Sequence, residues 1–423
     1  MRISTSTLFD VNVTSLTQQQ SKLLHTQQQL STGRRILTAA DDPSAAARAL
    51  QVAQADGTNT QYLGNIGTTQ DSASLSEGVL QGVTTLMQNI QTTAISAGNP
   101  GFANSDRKIL ATTLQDNLDH LITMANTKDA VGNYLFSGFK GSTQAFVNTP
   151  TGVQYNGDDG QRLIQVSASR QLAASDSGAD IFMRIKNGNG TFVTQPDPTS
   201  NAGAGNLGSG VIASGSLTAP LPTAAQLENK YTVSFTVAAN VTTYTVTGTD
   251  AAGAPIAAGT AGLPPANTPY VSGQAISFNG IQFDIQGAPA NGDQFNISPS
   301  SNESVFKTIS DFIAVLNTPT IPGNLASHAM LSAGINHVLD GLNNSLNNVL
   351  TTRASLGSRL NELDSLKATG SDLGNQFKQT LSQLQDVDYN KAITDLTQQQ
   401  TMLQAAQKSF LQVQNLSMFN FMP

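Results

Sequence analysis

The chain has 423 residues, a formal net charge of −7 and only 12% charged residues, about half the share usual for globular proteins. The length allows two to four domains, and the acidic balance argues against a broad nucleic-acid interface. Cys is absent, which excludes disulfides, thiolate metal sites and a Cys nucleophile. The sequence shows neither an apolar run of the ~18 residues that span a bilayer nor the apolar segment of a cleaved signal peptide.

A seven-residue apolar repeat opens the chain. Its members are Phe9, Leu16, Leu23, Leu30 and Leu37, and the residues between them are mostly Thr, Ser and Gln. A sustained period of seven predicts a coiled-coil helix. Because its apolar stripe is narrow, this helix has little core of its own and needs a partner.

Two adjacent carboxylates follow in the segment STGRRILTAADDPSAAARAL. We interpret Asp42 as a helix N-cap and Pro43 as the first helical residue, where the missing N–H of proline has no cost. The alternative is a catalytic or metal-binding carboxylate pair with Asp41. The sequence disfavours it because no His or metal-ligand cluster lies nearby.

Longer helices are predicted inside this N-terminal segment. Apolar residues at three- and four-residue spacing predict helices from 44 to about 97 and from 106 to about 128. A third helix is predicted from about 324 to 368, where Ile335, Leu342 and Val349 begin another seven-residue repeat. We expect Gly370 and Gly374 to break the chain before the terminal helix.

The middle of the chain predicts β structure. From about 187 to 301 it is rich in Gly, Ala, Pro, Thr and Val, and TVSFTVAANVTTYTVTG alternates with the strand period. Asn279-Gly280 predicts a tight hairpin turn, and YNGDDG is expected to form a hairpin turn before RLIQVSAS. GAGNLG has the glycine spacing of a dinucleotide-binding loop, but it neither follows a predicted strand nor leads into a predicted helix, as such a site requires. For the chain as a whole, we expect no catalytic residue, no metal site and no cofactor.

The last forty residues repeat the N-terminal pattern. Tyr389, Leu396, Leu403 and Phe410 recur every seven residues, and a second row is interrupted by Gln399. We predict that the two terminal helices pack together and against neighbouring subunits; the alternative is two ordinary surface helices. The predicted assembly interface comprises Leu16, Leu23, Leu30, Leu37, Leu396, Leu403, Phe410 and Val413.

Several blocks of the sequence resemble the bacterial flagellin superfamily. They are MRISTSTLF, LSTGRRILTAADDPSAAARAL, NYLFSGFKGSTQAF, YNGDDGQRLIQVSAS and DVDYNKAITDLTQQQTMLQAAQKSFLQVQNLSMFNF. They occur in the order typical of the family and cover both ends of the chain. NYLFSG followed by YNGD, and the MFNF ending, are most similar to the branch of the family that joins the flagellar hook to the filament.

The resemblance implies an α+β fold with an elongated flagellin-like architecture. Residues 1–40 and 386–423 are expected to form paired terminal coiled-coil helices, an axial inner core that is disordered in the monomer. Residues 41–186 and 302–385 are expected to form a long helical bundle with β-hairpins. Residues 187–301 would be an inserted outer β domain facing solvent.

The resemblance also implies a structural, non-enzymatic function at the hook–filament junction. The expected partners are copies of the same chain in a ring, a hook-associated protein on the hook side and flagellin on the filament side. An export chaperone would bind the C-terminal helices, and neither nucleic acid nor membrane is expected as a partner. The protein would reach the extracellular flagellum unfolded, by type III export and without a cleaved signal peptide. Alternatives are a filament flagellin and a secreted adhesin with a ligand-binding β insert.

Overall fold

The computed structural model describes the backbone of residues 5–419 and the side chains of Thr7 and of residues 9–412. The N-terminal elements are α1 (Thr5–Thr32), α2 (Pro43–Ala97), α3 (Asn104–Ala125), β1 (Phe146–Thr149), β2 (Gly152–Tyr155), β3 (Leu163–Ser167) and β4 (Arg170–Ala173). The C-terminal elements are α6 (Val305–Asn317), α7 (Leu325–Gln385) and α8 (Tyr389–Phe419).

Short strands fill the region between these helices. After a π-helical turn (Ala179–Met183) come β5 (Ile185–Lys186), β6 (Phe192–Pro196), α4 (Ser200–Gly203), β7 (Val211–Ile212), β8 (Ser216–Leu217), α5 (Ala224–Glu228), β9 (Lys230–Ala238) and β10 (Val241–Thr249). The series ends with β11 (Pro255–Ile256), β12 (Thr268–Pro269), β13 (Ala275–Phe278), β14 (Ile281–Gln286), β15 (Gln294–Pro299) and β16 (Asn302–Glu303). The predicted mixture of long terminal helices and a central β region is therefore confirmed.

The contacts divide the chain into two units. The first holds α1, the beginning of α2 up to Ile66, the end of α7 from Asp364, and α8, together with Val166–Ala168. In this unit α1 pairs with α8, and the segments that flank them are joined by backbone hydrogen bonds. The N–H of Val387 donates to the carbonyl of Gly33 at 3.0 Å, and the N–H of Arg35 donates to the carbonyl of Gln385.

The second unit contains a helical core built on the predicted apolar spacing. In α2, Leu80, Val83 and Ile90 are fully buried, and the seven-residue repeat of α7 is buried on the same core. Helix α6 was not predicted, although Ile309, Phe312 and Leu316 have helical spacing; it packs against α3. The rings of Phe146, Phe182 and Phe306 close one region of this core.

A separate apolar cluster in the second unit lies between the sheets of the β region. The larger sheet has the order β11-β10-β9-β15-β6, with β12 also paired to β10, and the smaller has the order β13-β14-β7, with β8 paired to β14. In β14, Ile281, Phe283 and Ile285 are buried on alternate positions. The predicted hairpin at Asn279-Gly280 is confirmed, because Phe278 pairs with Ile281 and both turn residues have positive φ.

Two predicted turns are wrong. Helix α7 continues through Gly370 and Gly374, and the break falls instead between Gln385 and Tyr389. The YNGDDG segment does not link a hairpin, since β2 pairs with β1 and β3 pairs with β4. Asp158 of that segment accepts hydrogen bonds from the N–H groups of Phe139 and Gly160, both at 2.8 Å. These backbone hydrogen bonds hold the pKa of the Asp158 carboxyl below its usual range. The N–H of Asp158 donates to the carbonyl of Ser137 at 3.2 Å, which joins the segment to the NYLFSG loop.

Candidate assembly surfaces

The seam of α1 alternates apolar and polar layers. Leu16, Leu23 and Leu30 lie half-buried on one face, as their seven-residue spacing requires. The layers between them are polar: Gln19 is half-buried and Thr26 is 7% exposed. The hydroxyl of Thr26 donates to the carbonyl of Lys22 in its own helix, so this buried polar group is satisfied locally.

Leu37 is not part of this helical seam. Helix α1 ends at Thr32, and Gly33 follows with a φ of +70°, a left-handed conformation that ends the helix at little steric cost. Leu37 lies in the following bend, where its N–H donates to the carboxylate of Asp41. The placement of Leu37 on the α1 stripe is therefore wrong, because the repeat continues in sequence after the helix has ended.

The seam of α8 faces that of α1. Leu396, Leu403 and Phe410 are half-buried, and Ala392 is buried. Gln399, which interrupts the second apolar row, is half-buried between Leu396 and Leu403. Val413 lies outside the residues whose side chains are described.

Two contacts show the register of the pair. The rings of Phe9 and Phe410 lie 5.3 Å apart at one end, and Arg34 and Asp386 form an antiparallel β-bridge beyond the other. The two helices therefore run antiparallel, which places Leu16 level with Leu403 and Leu23 level with Leu396. The assembly role of these side chains stays a prediction.

Asp42 has the geometry of a helix cap. Its carboxylate accepts a hydrogen bond from the N–H of Ala45 at 3.0 Å and from the hydroxyl of Ser44 at 2.9 Å, and α2 begins at Pro43. The hydrogen bond from the N–H of Ala45 is the main cause that lowers the pKa of the Asp42 carboxyl. The carboxylate thus satisfies backbone donors at the first turn of α2.

The neighbouring Asp41 organises the bend that precedes the cap. One oxygen accepts from the N–H groups of Leu37 and Thr38, and the other lies 2.9 Å from Nε2 of His25 on α1. The N–H of Thr38 is the main cause that lowers the pKa of the Asp41 carboxyl, and His25 adds to the effect. Both adjacent carboxylates are therefore engaged in local structure.

The paired terminal helices leave several apolar side chains exposed. Leu24 of α1 is 58% exposed and Ile393 of α8 is 52% exposed, and others lie along both helices. The further exposed side chains of this kind are Val11, Val13, Met402 and Leu411. These exposed side chains are available for contacts with other helices.

Within residues 5–419, no group of three His, Asp or Glu side chains is placed to hold a metal ion. None of the helices in this range is long and apolar enough to cross a bilayer. A cleft of about 650 Å³ on the larger sheet is lined by residues that include Lys230, Thr232, Thr247 and Asn296.

Known proteins match this chain at both the sequence and the structural level. The family model for the bacterial flagellin N-terminal helical region matches residues 3–141, and that for the C-terminal helical region matches residues 339–422. The flagellar hook-associated protein 3 of Salmonella typhimurium and that of Escherichia coli are each 30% identical over 420 residues, 99% of both chains.

Solved structures match as well. The crystal structure of flagellar hook-associated protein 3 from Legionella pneumophila is 32% identical, with a TM-score of 0.71, and the match covers 79% of this chain and 98% of that chain. For FlgL from Xanthomonas campestris the identity is 27% and the TM-score 0.68, over 78% of this chain and 99% of that chain. The chain therefore belongs to the bacterial flagellin family and, within it, to the family of flagellar hook-associated protein 3.

Proposed function

We propose that this protein is a structural component of the bacterial flagellum that joins the hook-side junction layer to the flagellin filament. The observation that carries the proposal is the similarity to hook-associated protein 3 over 99% of the chain, β region included. A solved relative from Legionella pneumophila is described as the flagellar junction protein. This favours a junction function over a filament flagellin or a secreted adhesin.

The proposed partners follow from that position. Copies of this chain form a ring, with a hook-associated protein on one side and flagellin on the other. An export chaperone binds the C-terminal helix, whose apolar seam would otherwise be exposed before assembly. The protein acts by packing and has no catalytic step, cofactor, nucleic acid or membrane partner. The pairing of α1 with α8 and the exposed apolar side chains of both helices support a function in subunit contacts.

The proposed organisation assigns different tasks to different parts of the chain. Residues 1–40 and 386–423 form the axial inner core, residues 41–186 and 302–385 the surrounding bundle, and residues 187–301 the outer β domain. The terminal pair orders fully when subunits stack, because its narrow apolar seam buries too little area to offset an ordering entropy of about 1–2 kcal/mol per residue. In dilute monomer, limited proteolysis should remove the chain before about residue 36 and after about residue 386 first.

The proposed location is extracellular, after export in an unfolded state without a cleaved signal peptide. Immunogold electron microscopy of intact flagella tests the location directly, with a tagged chain supplied to cells that lack the gene. Label confined to the point where hook meets filament supports the proposal. Label along the whole filament identifies a flagellin instead, and label on cells that carry no flagella points to the adhesin.

A further inference from the structure

A polar layer lies in the middle of the α1–α8 seam, where the heptad pattern calls for apolar side chains. Gln19 of α1 and Gln399 of α8 both occupy half-buried seam positions. In each, the side-chain carbonyl oxygen Oε1 is buried and accepts no hydrogen bond. A buried acceptor without a donor costs free energy, so this layer weakens the pair compared with an apolar layer.

The register of the pair places these glutamines at the same level. The contact between Phe9 and Phe410, together with the Arg34–Asp386 bridge, shows that α1 and α8 run antiparallel. Counting ten residues inward from Phe9 reaches Gln19, and counting eleven inward from Phe410 reaches Gln399. The leucine layers on either side of them are Leu16 with Leu403 and Leu23 with Leu396.

The leucine layers cannot define this register by themselves. Leucines recur every seven residues on both helices, so sliding one helix by seven residues again places leucine opposite leucine. The same slip places Gln19 opposite Ala392 or Ala406, depending on its direction. A carboxamide carries both donors and an acceptor, so two facing glutamines can turn to hydrogen-bond each other, whereas alanine offers a carboxamide nothing.

We propose that Gln19 and Gln399 are the specificity-determining residues of terminal-helix pairing: they select the observed antiparallel register at the expense of its stability. A single polar residue in an apolar seam is known to act in this way in coiled coils. The inference concerns the pairing of α1 with α8 within this chain. It does not depend on the position of the protein in the flagellum.

The absence of Cys from the chain allows the register to be trapped directly. Leu16→Cys with Leu403→Cys forms a disulfide in the observed register, the in-register product. Leu16→Cys with Leu396→Cys forms one only after a slip of seven residues, the slipped product. Seven residues of helix correspond to about 10 Å, beyond the span of a disulfide.

Each Cys pair is placed in the full-length chain in three backgrounds. They are the otherwise unmodified chain, Gln19→Leu with Gln399→Leu, and Gln20→Leu with Gln400→Leu. The last is the matched control, because Gln20 and Gln400 are exposed on the same helices.

In the monomer the terminal helices pair reversibly, and oxidation at low concentration traps the paired conformations. In the otherwise unmodified chain this should give the in-register product in at least tenfold excess over the slipped product. With Gln19→Leu and Gln399→Leu the two products should become comparable, and amide exchange in α1 and α8 should slow by about tenfold. The control background should behave like the unmodified chain. Circular dichroism confirms that every variant is folded, and mass analysis restricts the comparison to monomers.

Three results would overturn the proposal. The first is comparable amounts of both products in the otherwise unmodified chain. The second is a retained excess of the in-register product after both seam glutamines are replaced. The third is an equal loss of register in the control background, which would assign the effect to added surface leucine. The single substitution Gln19→Leu provides a separate check: it should speed amide exchange in α8, because it removes the amide donors that can turn to the buried Oε1 of Gln399.

Discussion

The adjacent carboxylates of Asp41 and Asp42 accept hydrogen bonds from different backbone N–H groups. Asp41 accepts from Leu37 and Thr38 in the bend, and Asp42 accepts from Ala45 in the first turn of α2. Because a carboxylate oxygen accepts strongly from backbone donors, adjacent aspartates can end one segment and start the next. An enzyme-like pair of carboxylates in a sequence is thus explained by local backbone hydrogen bonding.

We predict that Asp42→Ala loosens the start of α2. Loss of the cap should increase local opening across residues 44–50 roughly fivefold, as measured by hydrogen exchange. Asp42→Asn is the matched control, because Asn is an equally good N-cap and should keep protection near that of the parent chain. Unchanged protection in Asp42→Ala would show that the carboxylate does not cap the helix.

A third carboxylate, Asp340 on α7, lies in a cleft of about 270 Å³ beside the β region. Ser214 donates its hydroxyl to this carboxylate. Burial raises the pKa of the Asp340 carboxyl above its ordinary value of 3.8, and the Ser214 hydroxyl and nearby His337 oppose the shift without cancelling it. The folded state therefore holds the proton of Asp340 more tightly than the unfolded state does.

The direction of this shift predicts a pH dependence. A folded pKa above the unfolded value gives a stabilising contribution that is present below about pH 3.8 and is lost as the pH rises through the folded pKa. Asp340→Asn removes this loss, so the stability of the variant relative to the parent should increase as the pH rises from about 4 through the folded pKa of Asp340. Thermal melts at a series of pH values measure it. Asp116→Asn, at an exposed position of α3, should show no such trend.

Among the elements, α7 shows how packing outweighs a local breaking signal. Glycine lowers helix stability, which is why Gly370 and Gly374 predicted a break. In the structure the helix continues, and Nδ2 of Asn59 on α2 donates to the carbonyl of Gly370 at 2.8 Å. A Cβ on Gly370 would lie 2.8 Å from Cδ2 of Leu63. Gly370 is thus the place where α2 approaches α7 closely.

This arrangement predicts opposite outcomes for two glycines of the same helix. Gly357→Ala should stabilise the protein by about 1 kcal/mol, because alanine favours helix and no atom lies within 4 Å of the new Cβ. Gly370→Ala should lose that gain, since the new methyl group meets Leu63. Urea unfolding of both variants measures the difference. Equal stabilisation by the two substitutions would contradict a close approach at Gly370.

For the whole molecule, the packing of the terminal pair is less complete than that at the centre of the helical core. The seam leucines of the pair are half-buried, whereas Leu80, Leu114 and Leu342 of the helical core are almost fully buried. Burying a leucine side chain completely is worth roughly 1.5–3 kcal/mol relative to exposure. Part of this free energy is therefore still available to contacts with other subunits.

We predict that Leu403→Asp prevents stable incorporation at the hook tip while the rest of the chain stays folded. An unpaired carboxylate in a dry contact is costly, and the leucine contribution is lost as well. Cells should build hooks but release flagellin into the medium, while circular dichroism and melting of the purified chain stay close to the parent. Gln404→Asp adds the same charge at the next, exposed position and should leave filaments intact.

Export is measured in parallel, because the same seam is the proposed chaperone site. Normal export of Leu403→Asp together with firmly attached, full-length filaments would contradict an assembly function for this seam. Blocked export would locate the defect at the chaperone step, and the purified variant would then be added to isolated hooks to test assembly alone.

The sequence by itself determined the features that depend on neighbouring residues. The seven-residue stripes, the cap at Asp42, the start of α2 and the Asn279-Gly280 turn all follow from local stereochemistry and side-chain period. The family resemblance determined the class of protein, because several blocks occur in a fixed order.

Only the tertiary structure decided where residues distant in sequence meet. Helix α7 continues through Gly370, where Asn59 of α2 donates a hydrogen bond to its carbonyl. YNGDDG lies against the NYLFSG loop, where the N–H of Asp158 donates to the carbonyl of Ser137. The tertiary structure also placed Gln19 level with Gln399. These outcomes depend on hydrogen bonds and close contacts between segments far apart in the chain, and no periodicity within one segment encodes them.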